Sequence, residues 1–372
     1  MTKVMTVVGT RPEIIRLSEV IKRLDATVDH VLVHTGQNYD YELNEIFFEE
    51  LGLRKPDHFL EVDTSSLGRV LGEVLIKIEQ VLLQEKPDAF LVLGDTNSCI
   101  AAVMAKRMRI PVYHMEAGNR CFDENVPEET NRRMIDHVAD FNLVYTEHAR
   151  RNLLAEGIHP RRILLTGSPM NEVLAAQRSA IDASDVLERL GLEEGGYFLV
   201  SAHREENVDN PARLSAFLDC LEAVVDEYDL PVLVSTHPRT RSRLEAAGRE
   251  VAGVRFHKPL GFHDYNHLQL KARCVLSDSG TIAEESSLLG FPAVTLRDSI
   301  ERPEALDTGS IIMTGLAPAN VLLGLRCASR PPSASVPRDY DVLNCSERTV
   351  NYLVSTNARH AAWAGLRSPS LT

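Results

Sequence analysis

Three carboxylates in the first half of the chain, Asp95, Glu116 and Glu128, have the chemistry for removing and returning a proton. Asp95 and Glu116 each stand just past a strongly apolar run, Phe90 to Leu93 and Val112 to His114. Further on, the run His203-Arg204-Glu205-Glu206 and several arginines at helix starts suit a departing or arriving phosphate. A third stretch, Leu276-Ser277-Asp278-Ser279-Gly280-Thr281-Ile282, reads as the end of a buried strand, a tight Ser-Gly turn and a helix beginning at Ile282. Such a junction aims unpaired backbone N–H groups and a helix N-terminus at one point, a ready anion site. Ser279 adds a hydroxyl there, and Gly280 lets the backbone come close to a ligand. Glu285, one turn into the helix, is placed to accept hydrogen bonds from a polyol such as a ribose, and Arg297 and Arg302 offer guanidinium partners to a phosphate.

Each feature has a plainer alternative. The Ser-Gly turn is also an ordinary βα junction, and Glu128 is also a favourable first-turn charge. Arg132 and Arg133 fit a solvated helix face, and His203 fits a capped structural histidine. Several other chemistries are disfavoured. The first strand is followed by no GxGxxG turn, and the chain has no GxxxxGK[ST], no HExxH, no GxSxG elbow and no metal-type His/Cys cluster. Neither a metal nor a cofactor is expected.

The elements that must position these residues are short continuous apolar runs, the mark of strands covered on both faces. In the first half they are 4–8, 31–33, 90–93, 112–114, 143–145 and 163–165. After the first run, Thr10 as N-cap, Glu13 three residues later and Pro12 between them predict a capping box, and Ile14, Leu17, Ile21 and Leu24 continue at helical spacing. Further helices are predicted near 41–51 and 67–84 and from Pro127. Thr166-Gly167-Ser168-Pro169 breaks the rhythm, and a second series follows at 198–201, 232–235, 254–256, 275–277 and 293–296. The expectation is an α/β protein of two Rossmann-like domains: 1–170 carrying the carboxylates, 171–345 binding the anion, and a helix over 346–372 packing back toward the first domain. Residues 328–337 read as a linker and 366–372 as a frayed end. Ligands bind at the carboxyl ends of parallel strands, where Arg11, Asp95, Glu116, His203 and Ser279 all fall. Two such sheets facing each other would make one cleft between domains.

At 372 residues the chain suits two domains, and its 44% hydrophobic and 25% charged content is that of a soluble globular protein. A formal net charge of −13 argues against a nucleic-acid or anionic-membrane surface, so an anionic ligand needs a local basic pocket. The six cysteines, Cys99, Cys121, Cys220, Cys274, Cys327 and Cys345, are scattered without CxxC spacing and read as reduced cytosolic thiols. The N-terminus enters a strand at once, leaving no room for a signal peptide, and no apolar run has the length of a membrane span. The expected location is the cytoplasm.

Taken in order, the stretches Gly9-Thr10-Arg11-Pro12-Glu13, Gly94-Asp95-Thr96, Glu116-Ala117-Gly118 and Pro127-Glu128-Glu129-Thr130-Asn131-Arg132 resemble the non-hydrolysing UDP-N-acetylglucosamine 2-epimerases. The likeness continues through His203-Arg204-Glu205, Asp278-Ser279-Gly280 with Glu284-Glu285, and Glu301-Arg302-Pro303-Glu304, so it spans Gly9 to Glu304. It implies a GT-B-like fold, a sugar nucleotide between the domains, usually a homodimer, and inversion at carbon 2 by anti elimination of UDP to 2-acetamidoglucal and re-addition, without NAD. By resemblance Asp95, Glu116 and Glu128 are the acid/base groups, and His203 stabilises the departing UDP. Arg11, Ser279, Gly280, Thr281, Glu285 and Arg302 match nucleotide-binding positions, with Glu285 on the ribose and Tyr265 against the uracil. Arg132 lies near the diphosphate or orients Glu128.

Three departures stand out. Thr281 replaces the second glycine of the family's Ser-Gly-Gly, and Arg16 stands where Lys is common. Gly36-Gln37-Asn38-Tyr39-Asp40-Tyr41 replaces the stretch that binds an activating second substrate molecule. That stretch, with Asn119-Arg120-Cys121-Phe122-Asp123, is closer to the branch acting on 6-deoxy or uronic acid UDP-N-acetylamino sugars. The competing readings are a GT-B glycosyltransferase, sharing the nucleotide cradle, and a hydrolysing epimerase.

Overall fold

In the computed structural model, which describes residues 2–36, 45–202, 204–236, 238–249, 251–328 and 336–366, the apolar runs form two all-parallel sheets. The first holds β1 (Lys3–Val8), β2 (Asp29–His34), β3 (His58–Phe59), β4 (Ala89–Leu93), β5 (Val112–Met115), β6 (Phe141–Val144) and β7 (Ile163–Leu165) in the order β3-β2-β1-β4-β5-β6-β7. The second holds β8 (Phe198–Ser201), β9 (Val232–Ser235), β10 (Val254–His257), β11 (Cys274–Ser277), β12 (Ala293–Thr295) and β13 (Ile312–Met313) in the order β10-β9-β8-β11-β12-β13. Central strands such as β4 and β8 are buried along their whole length, because helices cover both faces.

Strand order reverses between β1 and β4 in one sheet and between β8 and β11 in the other. Loops leaving such a pair of strands diverge to opposite faces, which opens a crevice at their carboxyl ends. Arg11 and Asp95 flank the first switch point, and the loops after β8 and β11, the latter carrying Ser279, flank the second.

The chain forms two compact units, one of Met1–Arg120, Pro127–Ala175 and Val342–Thr372, the other of Cys121–Val126 and Ala176–Asp341. In the first, Met5, Val7, Val33, Phe90 and Val92 of the sheet pack against Val74, Ile78 and Ile135 of its helices. The Cys345–Asn357 helix packs on the Arg11–Thr27 helix, where Arg23 Nε donates to Ser346 Oγ (3.1 Å), and it reaches β5, where the Tyr113 and Thr356 hydroxyls lie 2.8 Å apart. In the second, Phe198, Val200 and Leu276 pack on one side of the sheet, and Leu199, Val275 and Ile282 on the other.

The strand expected at 143–145 is Phe141–Val144 instead. Polar Asn142 interrupts the apolar run in the sequence, but its Nδ2 donates to the Asp136 carbonyl (3.0 Å), which meets the donor half of its amide inside the sheet. Strands β3 and β13 have two residues each and carry no readable period. Residues 37–41, most of the 328–337 linker and 367–372 lie outside the described residues. Among the described residues no helix is long and apolar enough to cross a membrane.

Candidate active site

The turn after β1 is built over a carboxylate. Glu13 Oε2 accepts from the backbone N–H groups of Gly9 (3.0 Å) and Thr10 (2.7 Å) and from the Thr10 hydroxyl (2.8 Å). Its other oxygen accepts from the Ser98 hydroxyl, just past β4, so one side chain fastens the two loops of the switch point. Glu13 is 1% exposed, and burial pushes its carboxyl up to about 7 despite hydrogen bonds that act the other way. The sequence shows it only as a capping residue. Arg11 is half-buried beside it, its guanidinium 5.5 Å from the centre of the Phe47 ring.

Asp95 and Glu116 leave the adjacent strands β4 and β5, which are paired up to Leu93 and Met115. Asp95 Oδ2 accepts from Arg132 Nε (2.7 Å), and its carbonyl accepts from Asn131 Nδ2 (2.8 Å). Arg132 is itself braced by Glu129, whose Oε2 accepts from Nη1 (3.2 Å), so Arg132 orients Asp95. Glu129 is buried and also accepts from Arg133, while Glu128 is half-buried in the first turn of the same Pro127–Val138 helix.

Glu116 has φ +65°, a left-handed conformation that costs a non-glycine residue roughly 1 kcal/mol or more and gathers at functional sites. Arg16 Nη1 lies 3.3 Å from its Oε2. Arg16 is 2% exposed and lies over the Tyr145 ring at 5.7 Å. A full charge on the buried face of the Arg11–Thr27 helix, among Ile14, Leu17 and Ile21, is the signal that marks Arg16 as a candidate site residue.

In the second unit, Ser277, Asp278 and Ser279 lead from β11 into the Ile282–Leu289 helix, with Thr281 as N-cap. The N–H groups expected to point at an anion are partly engaged inside the turn: Ser279 N donates to Ser277 Oγ (3.0 Å) and Thr281 N to Ser279 Oγ (3.3 Å). The Ser279 and Thr281 hydroxyls lie 3.0 Å apart. Gly280 serves a close approach within the protein. A Cβ there would come 2.4 Å from Glu301 Oε1 and 2.5 Å from Arg302 Nη1.

Glu301 is buried and gathers three arginines: Arg204 Nη2 donates to its Oε1 (3.3 Å), Arg302 Nη1 lies 3.6 Å from the same oxygen, and Arg297 Nη1 donates to Oε2. Arg302 also lies 3.3 Å from Glu284 Oε2, so this guanidinium is held by two carboxylates. Asp278, fully buried, accepts from Arg204 N and Asn207 Nδ2 (both 3.1 Å), fastening the loop after β8 to the loop after β11. His203, in that loop, lies outside the described residues. Glu285 Oε2 accepts from Gln269 Nε2 (2.6 Å), and Tyr265, on the same Phe262–Lys271 helix as Gln269, is half-buried against the second unit's core.

Among the described residues no group of three or more His, Cys, Asp or Glu side chains is arranged to hold a metal ion. Burial pushes the thiols of Cys220, Cys274 and Cys345 up to about 12, which leaves them un-ionised and poor nucleophiles.

Two Rossmann-like sheets with carboxylates at one switch point and a Ser-Gly turn at the other narrow the families this chain can join. Residues 22–354 match the family model of UDP-N-acetylglucosamine 2-epimerase. The chain belongs to the UDP-N-acetylglucosamine 2-epimerase family. Its structure is similar to that of the UDP-N-acetylglucosamine 2-epimerase from Rickettsia bellii, with TM-score 0.92 and 43% identity over 99% of this chain and 100% of that one. It is also similar to the Methanocaldococcus jannaschii UDP-GlcNAc 2-epimerase solved in complex with UDP-GlcNAc and UDP, with TM-score 0.91 and 34% identity over 95% and 100% of the two chains. The UDP-2,3-diacetamido-2,3-dideoxy-D-glucuronate 2-epimerase of Pseudomonas aeruginosa is 36% identical over 323 residues, 85% of this chain and 89% of that one. The two parallel-sheet α/β domains of this epimerase-family chain have the GT-B-like fold of these neighbours.

Proposed function

We propose that this protein is an isomerase, a non-hydrolysing UDP-N-acetylglucosamine 2-epimerase that inverts carbon 2 to give UDP-N-acetylmannosamine. The observation that carries the reading is Glu116, a residue in left-handed backbone whose carboxylate lies against a buried arginine, one strand away from Asp95. The carbon-2 proton has no carbonyl to acidify it, so its removal needs a fixed base and a stabilised leaving group. A carboxylate takes that proton, the bond from carbon 1 to the diphosphate oxygen breaks with its electrons going to UDP, and 2-acetamidoglucal remains. A second carboxylate then delivers a proton to the opposite face of carbon 2 as the UDP oxygen re-attacks carbon 1.

Asp95, Glu116 and Glu128 serve as the acid/base set, with Arg16 holding Glu116 and Arg132 holding Asp95. His203, Arg11 and Arg302 meet the charge on UDP. Ser279, Gly280 and Thr281 line the diphosphate, Glu285 the ribose and Tyr265 the uracil. No cofactor takes part, and the working form is a cytoplasmic homodimer made of domains 1–170 and 171–345 with the helix of 346–372.

Incubation with UDP-N-acetylglucosamine in deuterium oxide tests this directly. Deuterium at carbon 2 of both epimers, with UDP retained, is the expected result, and no exchange with any UDP-N-acetylamino sugar sinks the proposal. The Pseudomonas relative's name favours one second reading, a uronic acid or otherwise modified sugar at carbons 3 and 6. A panel of UDP-sugars differing at those carbons decides between them by kcat/KM.

A further inference from the structure

Behind the two carboxylates of the first unit lies a buried pair that the chemistry above does not use. His114, in β5, is 1% exposed, and Asp136, in the Pro127–Val138 helix, is fully buried. His114 Nδ1 meets Asp136 Oδ1 at 2.9 Å, and its Nε2 meets the Gly94 carbonyl at 2.8 Å. The ring thus spans the helix carboxylate and the main chain just past β4.

Asp136 is fixed from other sides as well. Its carboxylate accepts from Gly118 N (3.2 and 3.1 Å) and pairs with Arg120 Nη1 (2.7 Å), and Arg120 in turn pairs with Glu156 (2.8 and 2.7 Å). Gly118 has φ +81°, and a Cβ there would lie 2.4 Å from the Ala149 carbonyl oxygen, so the loop can occupy only this path.

The atoms grasped are what give the pair a role. Gly94 directly precedes Asp95, and Gly118 lies two residues past Glu116. The helix bearing Asp136 also bears Glu128 and Arg132. One buried hydrogen-bonded pair therefore fixes the main chain beside Asp95, the main chain beyond Glu116 and the helix that bears Glu128.

We propose that His114 and Asp136 are positioning residues that set the placement of Asp95 and Glu116 for proton transfer. The inference rests on the reading of those two carboxylates as the groups that move the proton. A scaffold pair alone would affect how much protein folds, whereas a positioning pair lowers the rate of each folded molecule. A base displaced by about 1 Å loses on the order of a hundredfold in rate.

The test uses His114→Gln and Asp136→Asn in the full chain, beside Asp95→Asn and Glu116→Gln. Deuterium exchange at carbon 2 is measured per UDP-binding site, with sites counted by calorimetric titration with UDP, so that unfolded protein does not enter the rate. The expected result is a fall in kcat of about a hundredfold in both variants, with KM and UDP affinity changed by less than about threefold. An unchanged rate per site, or variants that keep no UDP-binding sites at all, overturns the proposal and leaves the pair a scaffold. If Asp95→Asn and Glu116→Gln themselves keep full exchange, the assignment of those carboxylates fails instead.

Discussion

The two sheets share one plan and differ in what their switch points do with charge. Each is parallel, each reverses between its first strand and its fourth, and in each a buried carboxylate fastens the two diverging loops: Glu13 to Ser98 in one, Asp278 to Arg204 and Asn207 in the other. Around the first, Arg16 lies beside Glu116 and Arg132 donates to Asp95. Around the second, Glu301 gathers Arg204, Arg297 and Arg302, the last also facing Glu284. The first crevice sets these acids and arginines in separate contacts, while in the second a single carboxylate is shared by three guanidinium groups. Topology locates each crevice, and the way acids and arginines are paired distinguishes the two.

That contrast breaks most easily at the carboxylates. Asp95→Asn and Glu116→Gln are expected to lower carbon-2 exchange by about 10³- to 10⁴-fold while UDP affinity by calorimetry stays near that of the parent protein. A collapse of UDP affinity with unchanged turnover would reverse the division of labour. Next in size is Glu13. Its carboxyl is raised from 4.5 to about 7 in the folded chain, so the unfolded chain releases that proton first. The stability contributed by the protonated form is fully present below pH 4.5 and is lost as pH rises through about 7, a change of roughly 3 kcal/mol. Denaturant titrations from pH 4.5 to 8 should show the decline in the parent protein and a weaker one in Glu13→Gln.

Glu13 also shows where the sequence is readable and where it is not. Apolar runs are legible because strands covered on both faces need them, and Thr10-Arg11-Pro12-Glu13 is legible as a helix start. That Glu13 becomes a buried carboxylate depends on Ser98, 85 residues away, and no local pattern records such a partner. The same holds for Arg16 with Glu116, and for His114, whose two partners come from another strand's end and a helix. The Ser279-Gly280 turn is legible as a turn, but the side chains that fill the space beside Gly280 belong to Glu301 and Arg302 and appear only in the folded chain.

Smaller effects sharpen the comparison further. Arg16→Met should lower exchange about a hundredfold by freeing Glu116 from its placement, whereas Arg16→Lys, which keeps the charge, should remain within about tenfold of the parent. Equal losses in the two variants would show that the shape of the guanidinium, rather than its charge, is what Glu116 needs. The smallest expected effect is in the second unit. Gly280→Ala places a methyl against Glu301 and Arg302 and should weaken UDP binding about tenfold, with exchange at saturating substrate unchanged.

The helix of Cys345–Asn357 carries a consequence for how the molecule is made. The segment from Val342 belongs to the first unit, yet it leaves the ribosome after the whole of the second. The second unit, whose sequence ends at Asp341, is complete before the first has received the segment that packs on its Arg11–Thr27 helix and reaches Tyr113 in β5. The usual order of synthesis, in which the amino-terminal domain finishes first, is inverted here. The half of the molecule that carries Asp95 and Glu116 closes its core only after the second unit has been synthesised, so a chain stalled at that point can display the second crevice without the first.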